Sequence, residues 1–142
     1  MTTILVMGLP GSGKTTLSKA LQKRLQELGK TASWFNADTV RTQFDDWDFS
    51  IEGRIRQSQR MRMLCDGSPA EYNICDFVCP LPEMREIIQA DVIVCVDTIE
   101  KSRFEDTNKC FSFPKKMNFH ITSQDSEYWA DIIIKTMNEN QA

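Results

Sequence analysis

The chain of 142 residues lacks the features that mark membrane, secreted or nucleic-acid-binding proteins. It has no apolar run long enough to span a bilayer, and its start has neither the charge nor the length of a signal peptide. Its net charge is −3, so the basic excess that long nucleic acids require is missing. We therefore expect a cytoplasmic protein with small-molecule partners, without a membrane association and without a nucleic-acid surface.

Histidine is scarce, and the cysteines follow no known framework. His120 is the only histidine, and among the five cysteines no second pair matches the spacing of Cys75 and Cys79. Such a set argues against a zinc site and against a network of disulfides. We interpret the cysteines as buried, reduced thiols.

Apolar strand-like segments alternate with segments of helical spacing along the whole chain. The predicted strands are "TILVMG", "TASWFNA", "YNICDFVC", "DVIVCVD" and "MNFHIT". This alternation predicts an α/β fold of about five parallel strands with helices on both faces, in a single domain over residues 1–142. The stretches "DDWDFS" and 100–116 read as loops, and the second is a candidate lid. Function is expected at the carboxyl ends of the strands.

The first predicted strand runs into "GLPGSGKTT", which fits the P-loop pattern without a mismatch. Glycines allow the backbone to curl its N–H groups around a phosphate, and the following helix adds its positive end. In this pattern Lys14 reaches the β- and γ-phosphates, and the hydroxyl of Thr15 binds Mg²⁺. The motif makes the fold a P-loop NTPase three-layer sandwich and predicts an ATP-binding set: Gly8, Gly11, Ser12, Gly13, Lys14, Thr15 and Thr16.

A carboxylate and an arginine follow the second predicted strand, in "NADTVR". An acid at this position in small P-loop kinases can orient Mg²⁺ or accept the proton of an attacking hydroxyl. Asp38 is therefore a candidate catalytic residue, together with Lys14. Arg41, one turn further on, is a candidate to bind an anionic acceptor. The alternative is that Asp38 only caps a helix. The Asn-Lys-x-Asp motif of GTPases is absent.

Asp76 ends the third predicted strand, after "YNIC". This is the position of a Walker-B carboxylate, which holds Mg²⁺ through water. Thr15, Asp38 and Asp76 together form the predicted metal-binding set. A turn residue at the end of a strand is the alternative interpretation of Asp76.

At these motifs the chain resembles the adenylylsulfate kinases (APS kinases), which transfer phosphate from ATP to the 3′-hydroxyl of adenosine 5′-phosphosulfate (APS) and make PAPS. "NADTVR" is similar to the family motif Asp-Gly-Asp-x-x-Arg, and "FSIEGR" is similar to Phe-Ser-x-x-Asp-Arg. The resemblance implies that Phe49 stacks on the substrate adenine, that Arg54 contacts its phosphosulfate, and that Phe111 covers the other face of the adenine.

The chain also departs from the family pattern. Gly53 stands where the family has an aspartate, and Cys79 stands where it has a serine that becomes phosphorylated. The cysteine favours direct in-line transfer. The candidate lid over 100–116 is shorter than the Lys-rich segment of the family.

Three functions remain open on the sequence. The leading one is an ATP- and Mg²⁺-dependent kinase acting on APS in sulfate assimilation. A kinase for another hydroxyl acceptor, such as a polynucleotide 5′-end, a nucleoside or a small metabolite, is the second. A nucleotide-binding domain without turnover is the third. The sequence leaves the oligomeric state undetermined, and a homodimer stays open.

Overall fold

The computed structural model of the chain describes residues 1–141. Five strands, β1 to β5, span Thr2–Gly8, Ala32–Asn36, Tyr72–Asp76, Val92–Val96 and Phe119–Ile121. Six helices, α1 to α6, span Lys14–Glu27, Ala37–Phe44, Ile51–Asp66, Pro82–Ile88, Glu105–Cys110 and Ser126–Gln141. Within residues 1–141, no helix combines the length and the apolar character needed to cross a membrane.

The five strands form one parallel sheet in the order β2-β3-β1-β4-β5. This arrangement confirms the predicted α/β fold with a five-stranded parallel sheet. β1 lies at its centre, so the loop after β1 is flanked by the carboxyl ends of β3 and β4. Side chains that follow different strands therefore meet at one edge of the sheet.

Two apolar cores cover the two faces of the sheet. Side chains from alternate positions of β1 point to opposite faces, as the pleat of a strand requires. Ile4 and Val6 pack with residues of α1 and α6, whereas Leu5 and Met7 pack with residues of α3 and α4. All four of these side chains have no exposed surface. The sheet is therefore the rigid middle layer on which the loops of the site are mounted.

Two segments differ from the prediction. The candidate lid contains the short helix α5, whose preceding turn is fixed by the Asn108 side chain, which donates to Ser102 O and accepts from Ser102 N, both at 2.8 Å. β3 ends at Asp76 rather than continuing to Cys79, and Cys79 itself has a left-handed backbone with φ of 50°. Phe77 N still donates to Val6 O at 3.1 Å, so the chain leaves the sheet after Phe77, and the left-handed Cys79 prevents the strand from continuing to the end of the predicted segment.

Candidate functional site

The loop between β1 and α1 has the backbone of a phosphate cradle. Gly13, which precedes α1, has φ of 104°, a value that residues with a side chain rarely adopt. A Cβ on Gly8 would lie 2.4 Å from Val96 O, so β1 and β4 approach too closely for any side chain there. The first turn of α1 holds no acidic residue and no side-chain cap. Its N–H groups are therefore available to an anion.

Two polar side chains of this loop are buried in a way that suits a bound phosphate. The hydroxyl of Ser12 is buried and has no hydrogen-bond partner among the described residues. The Nζ of Lys14 donates to Leu9 O at 3.0 Å, and the residue is 9% exposed. Burial lowers the pKa of Lys14, and the carboxylates of Asp76 and Asp38 oppose that change. A buried hydroxyl and a buried ammonium both gain from an anion placed in the loop.

The hydroxyl of Thr15 and the carboxylate of Asp76 meet in front of this loop. Thr15 Oγ1 donates to Asp76 Oδ2 at 2.8 Å, and Asp76 is almost fully buried at the end of β3. Asp76 Oδ2 also accepts from Asn36 Nδ2 at 2.9 Å and from Trp34 Nε1 at 3.3 Å. Asp76 therefore lies where the Walker-B interpretation requires it, against the P-loop threonine.

These oxygen ligands fit Mg²⁺ rather than a softer metal. Mg²⁺ prefers hard oxygen ligands and is usually held by one or two carboxylates together with water and substrate phosphates. Among residues 1–141, no three His, Cys, Asp or Glu side chains converge to hold a metal by themselves. Thr15 and Asp76 supply the one hydroxyl and one carboxylate that such a shared site needs. Below, "metal-binding pair" denotes Thr15 and Asp76 as the two residues that we propose to hold Mg²⁺.

Asp38 lies in the first turn of α2, and its side chain is exposed to solvent. The N-cap of α2 is Asn36, whose Oδ1 accepts from Thr39 N at 3.0 Å, so Asp38 is not needed as the cap. The charge of Asp38 opposes the lowering of the pKa of Lys14 and of Arg41 that burial causes. On α2, Asp38 lies between Arg41 and the N-cap Asn36, whose amide contacts Thr15 of the cradle at 3.3 Å.

Arg41 is buried and locked onto the loop that follows α2. Its Nη1 donates to Asp46 O at 3.1 Å and to Asp48 O at 3.2 Å. Burial lowers the pKa of Arg41, although a guanidinium remains charged at physiological pH. The guanidinium lies 4.4 Å from the centre of the Phe49 ring. Arg41 thus joins helix α2 to the aromatic ring that the sequence singled out.

The carboxylate of Asp46 fixes the other side of this loop. It accepts from Arg56 Nε at 2.7 Å and also binds Arg60. The hydrogen bond from Arg56 is the main reason that the pKa of Asp46 is lowered. Arg56 and Arg60 are therefore both engaged by a carboxylate of the protein itself.

Phe49 and Arg54, which the resemblance implies as substrate-binding residues, lie beside each other. Arg54 Nε donates to Phe49 O at 2.8 Å, and its guanidinium lies 5.5 Å from the ring centre. Arg54 Nη2 donates to Thr107 Oγ1 of α5 at 3.0 Å. Half of the Phe49 surface is exposed. The ring is thus an open platform with two guanidinium groups beside it.

Phe111 is placed differently from Phe49. It packs against Phe113 at 5.3 Å between ring centres and borders the apolar core on the α3 side of the sheet. The ring beside Phe49 is that of Trp47, at 6.4 Å. No sequence motif predicts that Trp47 lies beside Phe49, because its position depends on the hydrogen bonds that hold residues 45–49.

A cleft adjoins the phosphate cradle on the side of α6. It measures about 160 Å³ and lies between the cradle, the end of β5 and Trp129. Gln124 Nε2 donates to Ser12 O at 3.4 Å, and Thr98 Oγ1 donates to the same oxygen at 2.7 Å. These contacts join the loops after β4 and β5 to the P-loop. No sequence motif marked them, because they follow strands that carry no recognisable signature.

Gly53 gives a test of how the loop over Arg41 is packed. A Cβ at this position would lie 2.2 Å from Asp48 O, one of the two carbonyl groups that accept from Arg41. We expect Gly53→Ala to destabilise the protein by about 1–3 kcal/mol, because backbone rather than a flexible side chain must move. Urea unfolding measures this change.

Gly67→Ala is the matched control for this substitution. A Cβ there would lie 3.5 Å from its nearest neighbour, Met63 O, and the φ of Gly67 is −84°. We expect this variant to gain about 0.4–1 kcal/mol from the reduced freedom of the unfolded chain. Equal unfolding free energies for the two variants would contradict the packing described for Gly53.

The fold and the cradle together define a class of protein. A strand, a glycine loop and a helix surround a buried lysine, and Thr15 of that helix bonds to Asp76 at the end of the neighbouring strand β3. This is the arrangement of P-loop nucleotide-binding proteins. The family model described as "Adenylylsulphate kinase" matches residues 1–105. The chain belongs to this family.

Individual relatives agree with this membership. A "Probable adenylyl-sulfate kinase" of Aeropyrum pernix is 32% identical over 85 residues, which are 58% of this chain and 46% of that protein. The match thus spans less than half of the relative's length. A Mycobacterium tuberculosis APS kinase, CysC, in complex with AMPPNP and APS superimposes with a TM-score of 0.83 at 20% identity, covering 96% and 97% of the two chains.

A more distant structure shares the same architecture. Shikimate kinase from Acinetobacter baumannii has a TM-score of 0.66 at 15% identity, with coverage of 99% and 94%. At such identities the likeness to solved structures establishes the fold, which is that of small P-loop kinases.

Proposed function

We propose that this chain is an ATP-dependent kinase that transfers the γ-phosphate of ATP to the 3′-hydroxyl of APS, giving PAPS. The proposal rests on helix α2, whose N-cap Asn36 contacts Thr15 of the cradle at 3.3 Å and whose Arg41 lies 4.4 Å from the centre of the Phe49 ring. Asp38 lies between these two residues, in the first turn of α2. A triphosphate in the cradle and a nucleotide on Phe49 would meet at this carboxylate. Membership of the adenylylsulphate kinase family supports the same reaction.

The residues of the cradle bind and polarise the triphosphate. The N–H groups at the start of α1 and the hydroxyl of Ser12 are the donors, and Lys14 places its charge on the transferring phosphate. Mg²⁺, when bound, neutralises charge on the β- and γ-phosphates. Thr15 and Asp76 are the residues that fit it, and Asp38 is the second carboxylate proposed for the site.

The acceptor is held on the opposite side of Asp38. Phe49 offers its exposed face to the adenine, and Arg41 and Arg54 bind the anionic 5′ group. Asp38 accepts the proton of the attacking 3′-hydroxyl or orients the metal. Phe111 is proposed to approach the adenine when the lid over 100–116 closes, a movement that the bond from Arg54 to Thr107 of α5 would control.

The cysteines support a proposal about the cellular location of this activity. Four of the five free thiols are buried, which suits a reducing compartment and supports a cytoplasmic location. The proposed partners are the small nucleotides ATP and APS. A homodimer remains a proposal that gel filtration with light scattering tests directly.

ADP release tests the proposed reaction. Purified protein with ATP and Mg²⁺ is assayed alone, with APS, and with a nucleoside, a 5′-hydroxyl oligonucleotide or shikimate as acceptor. We expect rapid ADP release only with APS, with PAPS identified by mass spectrometry. Faster release with another acceptor would assign a different kinase, and ATP binding without release under any condition would indicate a binding domain.

The carboxylate of Asp76 is expected to set the Mg²⁺ requirement. We expect Asp76→Ala to raise the Mg²⁺ concentration for half-maximal activity by about tenfold or more, because Thr15 loses its partner and the site loses its buried carboxylate. Asp66→Ala, which removes an exposed carboxylate bound to Arg62, is the control. An unchanged Mg²⁺ requirement in Asp76→Ala would leave Asp76 as a structural residue.

A further inference from the structure

Asn36 lies where β2 ends and α2 begins, and its side chain contacts both the phosphate cradle and the start of α2. It is the last residue of β2 and the N-cap of α2. In the sheet its Cα is paired with that of Asp76, the last residue of β3. The backbone register alone therefore brings the side chain of Asn36 to the metal-binding pair.

The orientation of the Asn36 amide follows from its partners. Thr39 N can only donate, so the atom 3.0 Å from it must be the carbonyl oxygen Oδ1. The amide nitrogen Nδ2 then faces the opposite way and donates to Asp76 Oδ2 at 2.9 Å and to Thr15 Oγ1 at 3.3 Å. One end of the amide caps the helix, and the other end binds the metal-binding pair.

Few other side chains can both accept from Thr39 N at the start of α2 and donate to Asp76. Aspartate would cap the helix equally well, but it has no donor for Asp76 and would place a second negative charge against it. Serine is also a good cap, yet its single polar atom on a shorter side chain cannot span to Asp76. The motif that the chain resembles has aspartate here, so the amide is a departure with a chemical consequence.

We propose that Asn36 is a positioning residue that ties the metal-binding pair to α2, the helix that carries Asp38 and Arg41. Its amide holds Asp76 Oδ2 on the Thr15 side and fixes the start of α2 in the same contact. The inference depends on one part of the proposed function, which is that Mg²⁺ and a nucleoside diphosphate or triphosphate bind in the cradle.

Equilibrium binding of ADP tests this role without any phosphoryl transfer. The affinity of ADP is measured by calorimetry in excess Mg²⁺ and in EDTA, and the ratio of the two dissociation constants is the Mg²⁺ enhancement. It is determined for the wild-type chain, Asn36→Ser and Asn36→Asp, since both variants keep an N-cap acceptor. Thermal unfolding without nucleotide confirms that each variant is folded.

The two variants should move the enhancement in opposite directions. Asn36→Ser leaves Asp76 without its amide donor, so we expect the enhancement to fall by roughly tenfold. Asn36→Asp adds a carboxylate that repels ADP in EDTA and attracts the metal, so we expect the enhancement to rise several-fold. A residue that only capped α2 would leave the enhancement unchanged in Asn36→Ser, whereas the added charge of Asn36→Asp reports that the position faces the metal site.

Asn118 supplies the matched control. Its Oδ1 accepts from Ile93 N at 2.8 Å just before β5, at the other end of the sheet from the cradle. Asn118→Ser and Asn118→Asp should keep the wild-type enhancement. An enhancement in Asn36→Ser within twofold of the wild type would overturn the inference while leaving the proposed function intact. A wild-type chain that binds no ADP with Mg²⁺ would overturn both.

Discussion

Lys14→Met is expected to lower kcat/KM for ATP by about 10²–10³-fold, the loss that follows removal of one preorganised donor from a developing charge. Lys14 is buried and has one protein acceptor, Leu9 O. Methionine keeps the length and the apolar stem of the side chain but removes the charge. The fold should therefore persist, and initial rates of ADP release measure the effect.

Lys23→Met is the control for this change, because it removes an exposed lysine from the same helix, α1. We expect its kinetics to match those of the wild-type chain. A Lys14→Met variant with near-normal kcat/KM would mean that the cradle does not hold the transferring phosphate.

Asp38→Asn is expected to lower kcat by about 10²–10⁴-fold, the range of general acid–base catalysis, while ADP affinity stays nearly unchanged. The amide has almost the same shape but cannot accept a proton. Asp38 is exposed and Asn36 is the cap of α2, so little stability depends on this carboxylate. Single-turnover rates and calorimetry with ADP separate chemistry from binding.

Asp45→Asn makes the same charge change at the other end of α2. Asp45 has φ of 49°, which asparagine tolerates, and it faces solvent. Its kcat should remain at the wild-type value. If Asp38→Asn instead weakened ADP binding in parallel with kcat, Asp38 would be a metal-holding group rather than a proton acceptor.

The sequence was most informative where one short segment contains the whole feature. The glycines, Lys14 and Thr15 of the cradle are contiguous, and the strand-loop-helix context could be recognised from local periodicity. Asp76 could also be anticipated, because parallel strands end at the same edge of a sheet. The fold prediction is confirmed for the same reason: alternating strands and helices leave few topologies open.

Features that depend on strand register or on hydrogen bonds within loops could not be predicted from the sequence. The contact of Asn36 with Asp76 depends on which residues of β2 and β3 are paired. Trp47 lies beside Phe49 in a segment where Arg41 binds the backbone carbonyl groups of Asp46 and Asp48 and Arg56 binds their carboxylates. Helix α5 has only six residues, so periodicity gave it no signal, and its side-chain bonds to the preceding turn could not be foreseen.

The hydrogen bond between Arg54 and Thr107 connects the proposed acceptor site to the candidate lid. It joins a guanidinium of α3 to a hydroxyl of α5 at 3.0 Å. A guanidinium carries five N–H donors, and the bonds of Arg54 to Phe49 O and to Thr107 use only its Nε and Nη2. If Arg54 binds the anion of the acceptor, as proposed above, the ligand and α5 would share one side chain, so the position of α5 would depend on whether the acceptor is present.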